Sequence, residues 1–308
     1  MTYEKPATSI DEQVALLRRR GMTIGDDALA RRWFETVGYY RLSIYWLPFE
    51  EAAPEGRVRS RAFRPGTDLE DVRDLYVFDR KPRLLVTEAI ERVEVAVRAR
   101  WTNRLALAEG SHGYANPKAF TSREAHLSLL AALTGQLAKS RETMVTHYLE
   151  RYAEPALPPL WVATETMTLG ELSRWVKATA DPGLKDALAR DLGLPNKDVL
   201  TGVLEALTYT RNVCAHHGRL WNRRMVKYVP NIRRLSESLA LDRARASGTT
   251  NTIYNILTVL AHMLRHQSPD TSWPTRVKGE VGGPGELRRR GMGMPRDWQD
   301  RPVWRGVP

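Results

Sequence analysis

The sequence predicts an all-α fold. Apolar residues recur at steps of three and four along most of the chain, and no stretch sustains the two-residue alternation of a half-buried strand. Helix-capping patterns also stand where the periodic runs begin. At 308 residues, 42% apolar and 27% charged, the chain can bury one large core or two smaller ones.

The elements follow in order. In "SIDEQ", Ser9 and Glu12 have the spacing of a capping box, and Val14, Leu16 and Leu17 continue as an apolar set. Gly21 and Gly25 punctuate before a second helix over about 26–37. "GYYRLSIYWLPF" gathers Tyr39, Tyr40, Tyr45, Trp46 and Phe49. Bases can stack on such a platform, although a packed joint between helices is the commoner cause of such a cluster. Residues 51–67 form a loop rich in Pro, Gly and Arg. Beyond Pro82, Val86, Ile90, Val93, Val97, Trp101 and Leu105 mark one face of a long helix, with Glu88–Arg92 and Glu94–Arg98 as i,i+4 pairs on its wet face. Proline is tolerated in a first turn, so Pro82 is expected near the start of that helix. Further helices are expected over 123–152, 159–179, 184–191, 197–215, near 230–241 and over 250–266. This organisation reads as a helical domain over 1–275, with an N-terminal part to about residue 110 and a motif-bearing part from about 111. A basic Gly/Pro/Arg segment follows over 276–308. That segment holds eight Arg or Lys against four Asp or Glu, a net +4; it reads as a disordered basic arm, although Trp298 and Trp304 argue against pure disorder.

Charge narrows the partners. Lys and Arg number 47 against 36 Asp and Glu, a net +11 that favours polyanions, nucleic acid first. One cysteine excludes an internal disulfide and a multi-cysteine zinc site, and it fits a reducing compartment. "MTYEKPATSIDEQ" has no signal-peptide pattern, and no apolar run approaches the ~20 residues of a membrane span. The expectation is a soluble, cytoplasmic protein.

"TYTRNVCAHHGRLWN", residues 208–222, concentrates the chemistry. Leu200, Leu204, Leu207 and Cys214 mark one helix face, and Arg211 falls on that seam four residues after Leu207. A buried guanidinium requires an anionic partner, either a carboxylate of the same fold or a phosphate. His216 lies five residues after Arg211, about 140° around an ideal helix. Gly218 suggests a helix stop that unwinds the last turn and returns a histidine toward Arg211. Alternatively, a second copy brings the missing group. Arginine, an amide and histidine suit internal cleavage of RNA. The histidine moves protons near neutral pH, and the arginine clamps the phosphoryl oxygens bidentately. The bare spacing is weak: Arg141–His147 repeats it with Glu142 in the polar position, as expected of surface helix.

"YTRNVCAHHGRLWNRR" resembles the hallmark of the Abi-like abortive-infection proteins of bacteria (the AbiD/AbiF group), which belong to the HEPN superfamily. The resemblance extends over "KPATSIDEQVALLRRRGMTI", "VGYYRLSIYWLPF", "LYVFDRKPRLLVTEAIERVEVAVRARW", "LWVATETMTLGELSRW" and "MGMPRDWQDRPVW". One departure is Pro82, where the family pattern has a leucine. The resemblance implies an α-helical HEPN fold, so the whole chain is expected to be a HEPN-like bundle with additional helices, followed by the C-terminal basic arm. It also implies a role as a toxin in phage defence and a composite endoribonuclease site shared by a homodimer. Mapped residue by residue, that site is Arg211, Asn212 and His216, with His217 also inside the permitted spacing. No cofactor is implied. RNA is the expected substrate, and a structured inhibitory RNA is an expected partner. Arg57, Arg59, Arg61, Arg64, Arg219, Arg288, Arg289 and Arg290 are the candidate RNA contacts.

Two rivals remain at this level. A metal site could form from Cys214 with His216 or His217 and the i,i+4 pair His262 and His266. A protein of the same fold could instead bind RNA without cleaving it. Catalysis by Cys214 is disfavoured because periodicity turns its sulfur inward, and no Gly-rich phosphate loop is present.

Overall fold

The computed structural model describes residues 2, 6–53, 55, 59–242, 244–245, 248–282 and 285–306. Among them there are thirteen α-helices, no β-strand, and no helix long and apolar enough to cross a membrane. The chain divides into two compact units, residues 1–81 and 82–308.

In the first unit, α1 (Ile10–Arg19) opens with the expected capping box. Ser9 Oγ accepts from the Glu12 amide at 3.3 Å, and the Glu12 carboxylate accepts from the Ser9 amide at 2.6 Å. These bonds to the charged form hold the Glu12 carboxyl below its ordinary value. Asp26 caps α2 (Asp27–Thr36) by accepting from the Leu29 amide at 2.9 Å. The aromatic run, which includes α3 (Tyr39–Leu42), is a packed joint. Tyr45 and Trp46 are buried, and the Tyr39–Trp46 and Tyr45–Tyr76 ring centroids lie 5.0 and 5.4 Å apart in edge-on pairs. Only Tyr40 of the two Tyr-Tyr neighbours is strongly exposed.

Pro82 lies inside α4 (Leu69–Glu109) and not at its start. An interior proline forfeits one helical hydrogen bond and costs about 3 kcal/mol. The helix persists because Val72, Leu75 and Phe78 before the proline, and Leu85, Val86 and Ile90 after it, are all buried. The expected stripe from Val86 to Leu105 is buried throughout. Of the two ion pairs expected on its wet face, Glu94–Arg98 forms at 2.8 Å, but its side chains are largely covered. Glu88–Arg92 does not form: Glu88 pairs with Arg276 at 2.7 Å, and Arg92 donates to Thr271 Oγ1.

The second unit builds its core around Trp101, Tyr114, Phe120 and Trp175, with Trp101 Nε1 donating to Thr179 Oγ1 at 3.0 Å. The run expected over 123–152 is two helices, α5 (Arg123–Leu137) and α6 (Thr143–Arg151). The run over 159–179 also breaks, into α7 (Leu160–Ala163) and α8 (Leu169–Ala178), because Thr168 and Glu171 form a second capping box that starts α8 afresh. Next come α9 (Pro182–Asp191), α10 (Lys197–Ala215) and α11 (Ile253–Gln267). α10 packs against α8 and α9. α11 is buried nearly all round, as expected of a central helix.

No α-helix forms near 230–241, where there is only a single 3-10 turn at Arg233–Leu235. Side chains of α11 take over the backbone bonding of this segment. Asn255 accepts from the Ala240 amide and donates to the Ala240 carbonyl, and Tyr254 Oη donates to the Ser238 carbonyl. The C-terminal segment is packed: α12 (Trp273–Val281) begins before residue 276 and runs into it, α13 (Glu286–Met292) forms within it, and Trp298 and Trp304 are buried in edge-on contact at 5.2 Å.

Candidate functional site

α10 carries the motif. Asn196 caps its start, accepting from the Val199 amide at 3.0 Å, and Leu200, Val203, Leu204, Ala206, Leu207, Thr210 and Cys214 are buried. Thr210 and Cys214, not Arg211, take the buried positions of the last turns. Arg211 is half-buried at the margin of the stripe, which corrects the expectation that it lies on the seam. Its Nη1 donates to Asn212 Oδ1 at 3.3 Å, and among the described residues it has no carboxylate partner. The carboxylate-paired explanation of this arginine is therefore absent.

The helix ends in a Schellman turn. The His217 amide donates to the Cys214 carbonyl at 2.9 Å, and the Gly218 amide donates to the Val213 carbonyl at 2.7 Å. The left-handed residue of that turn is His217, with φ 55°, where glycine is usual. Gly218 serves a different need: a Cβ there would stand 2.9 Å from the Val213 oxygen. Nor does the helix unwind before His216, whose amide still donates to the Asn212 carbonyl at 3.0 Å. His216 thus keeps its helical register about 140° from Arg211, so the expected swing of a histidine back toward Arg211 does not occur at this residue. Asn212, His216 and His217 are all exposed. The product is a helix end that presents a cation, an amide and two imidazoles to solvent.

Beyond the turn, α13 docks on the segment that follows the motif. Trp221 Nε1 donates to the Arg288 carbonyl at 3.2 Å, and the Asn222 amide donates to the Gly291 carbonyl at 2.6 Å. A Cβ at Gly291 would stand 2.1 Å from Trp221 Nε1, so only glycine allows this approach. Arg288, Arg289 and Arg290 are thereby carried to the segment that begins with Arg219. Arg290 is exposed, and Arg289 lies 3.8 Å from Glu286. Sequence reading missed Arg223, which donates to the Arg219 carbonyl and, at 3.4 Å, to Tyr209 Oη. The basic run "LWNRR" held the only signal for it.

The remaining candidate contacts belong to the first unit. Arg59 pairs with Glu50, and Arg64 donates to the Pro48 carbonyl. Arg61 adopts φ 65° and offers its carbonyl to Arg20. Arg57 lies outside the described residues. The proposed metal set is not assembled: among the described residues no three His, Cys, Asp or Glu side chains are grouped to hold an ion. Cys214 is buried, and His262 Nε2 donates to the Gly193 carbonyl at 2.8 Å.

A sequence model of the family described as Abi-like protein matches residues 32–222, more than half of the chain and including the motif. No curated protein and no solved structure matches.

Proposed function

The chain belongs to the Abi-like protein family, and from that membership we propose that it is a metal-independent endoribonuclease. Membership supports a role in abortive infection. The finer reading rests on the helix end. Arg211 is the observation that carries it: a half-buried guanidinium that donates to Asn212 and has no carboxylate partner among the described residues, on the helix end that also bears the exposed His216 and His217.

The chemistry follows from these groups. A histidine, His216 or His217, takes the proton of a ribose 2′-OH, and the oxygen attacks the adjacent phosphorus. Arg211 holds the phosphoryl oxygens by its planar pair of donors, and Asn212 orients it. The 2′-O–P bond forms, the P–O5′ bond breaks, and a protonated imidazole returns a proton to the 5′-oxygen. The products are a 2′,3′-cyclic phosphate and a 5′-hydroxyl. Because His216 remains in helical register, far around the helix from Arg211, the two are best combined across two copies of the chain, each supplying both. His217 in a left-handed conformation, at a cost of about 1–2 kcal/mol, is the kind of strain that functional sites retain.

RNA cleavage by the purified protein and by His216→Ala and Arg211→Lys variants tests this. Loss of a positioned acid or base lowers the rate by about 10²–10⁴-fold. If both variants cleave at the wild-type rate, the assignment fails. If they still bind RNA and the wild type cleaves none, the fold serves RNA binding alone.

A further inference from the structure

A second site of cationic character lies in the same unit, between the C-terminal half of α11 and the loops at 234–238 and 302–303. It is an open pocket of about 420 Å³, and its walls include Arg234, Ser238, His262, Arg265, His266 and Val303. No Asp or Glu lines it. None of its two arginines and two histidines has a carboxylate partner among the described residues. Two arginines and an exposed histidine on one pocket wall, with no carboxylate among the lining residues, favour an anion.

The groups are held in place. His262 Nε2 donates to the Gly193 carbonyl at 2.8 Å, which fixes that ring in the pocket wall. Gly193, with φ 77°, lets both imidazoles close on its turn, since a Cβ there would lie 2.9 Å from the His266 ring and 3.1 Å from His262 Nε2. Arg265 Nη1 donates to the Val303 carbonyl at 3.0 Å, which anchors one arm of its guanidinium. Ser238 Oγ accepts from the Val303 amide at 3.0 Å, so its own proton is available to donate. Burial lowers the His262 pKa, the bond to Gly193 opposes this, and His266 with Arg234 lowers it further; no carboxylate offsets them.

We propose that Arg234, Ser238, Arg265 and His266, with His262 as part of the wall, form a binding pocket for the phosphate group of a small phosphorylated ligand, separate from the helix-end motif. The volume matches a nucleotide-sized compound, within the roughly 300–1,000 Å³ of small-molecule sites. A phosphate at an RNA terminus offers the same chemistry. The site does not depend on the nuclease reading, and it is tested in the His216→Ala background so that no RNA is consumed.

The experiment is calorimetric titration with inorganic pyrophosphate, with ATP, and with a short RNA bearing either a 5′-phosphate or a 5′-hydroxyl. Arg234 and His266 are exposed, so the double variant Arg234→Gln, His266→Gln is expected to keep the fold. Binding at about millimolar affinity or tighter, reduced at least about tenfold in the double variant, supports the site. Reduction with pyrophosphate and ATP assigns a free phosphorylated compound. Reduction confined to the 5′-phosphorylated RNA assigns the RNA terminus. Imidazole NMR signals of His262 and His266 should shift on addition of the probe that binds. No binding by any phosphate probe, or equal binding by the double variant, overturns the proposal.

Discussion

The amide of Gly218 donates to the carbonyl of Val213 over 2.7 Å, and the residue that makes this closure possible is His217 in the left-handed conformation. A histidine therefore occupies the backbone position that glycine fills most easily. His217→Gly is expected to stabilise the fold by about 1 kcal/mol, because glycine enters this region without the Cβ penalty. Gly218→Ala is expected to destabilise it by about 1–3 kcal/mol, since the new Cβ crowds the Val213 oxygen. Urea unfolding of the two variants checks both signs; a stabilised Gly218→Ala would refute this account of the turn.

Glu50 gives a pH-dependent test in the first unit. Its side chain is almost fully covered and meets Arg20 at 2.7 Å, with Arg59 on the same oxygen. Burial pushes the Glu50 carboxyl up, but Arg59 and Arg20 outweigh it and hold the group below its ordinary value. A carboxyl depressed in the folded state contributes stability above its unfolded pKa, and the contribution fades as pH falls through the folded one. Glu50→Gln should therefore cost about 2 kcal/mol near neutrality and progressively less in acid. A stability difference that stays constant with pH would contradict this.

RNA affinity should fall steeply with salt, because each phosphate neutralised by Lys or Arg releases a counterion. Arg290, exposed on α13, is expected to contribute about one unit of the logarithmic salt slope. Arg59, already engaged by Glu50, should contribute little. Filter binding of Arg290→Gln and Arg59→Gln across salt concentrations separates them. Unchanged slopes in both would leave α13 as solvated surface.

If the site is composite, an inactive Arg211→Ala protein and an inactive His216→Ala protein should regain measurable cleavage when mixed and refolded together. Each mixed pair then holds one intact arginine and one intact histidine. Absence of any recovery, with a mixed oligomer demonstrated, would place the whole site in one chain.

Much of the fold was legible because periodicity and caps are local signals. The buried stripe from Val86 to Leu105, the Ser9–Glu12 box and the bounds of α10 needed nothing beyond sequence spacing. What escaped depends on distant partners. The segment near 230–241 reads as helix until Asn255 and Tyr254 satisfy its backbone from another element. Pro82 reads as a helix start until the burial on both of its sides is known. At the motif, the residue types were visible. The division of labour in the turn was not: Gly218 carries the close approach and His217 the left-handed backbone. The docking of α13 through Gly291 on Trp221 left no local pattern to read.

The chemistry at the end of α10 is tested most directly by the termini it leaves on RNA. Purified protein is incubated with a defined single-stranded RNA in EDTA, and the product ends are identified by mass spectrometry. Attack by the 2′-OH, with His216 or His217 moving the proton and Arg211 holding the phosphoryl oxygens, predicts 2′,3′-cyclic phosphate and 5′-hydroxyl ends. It also predicts intact DNA of the same sequence and loss of products in His216→Ala. Products ending in a 3′-hydroxyl, or cleavage of the DNA, would contradict that mechanism.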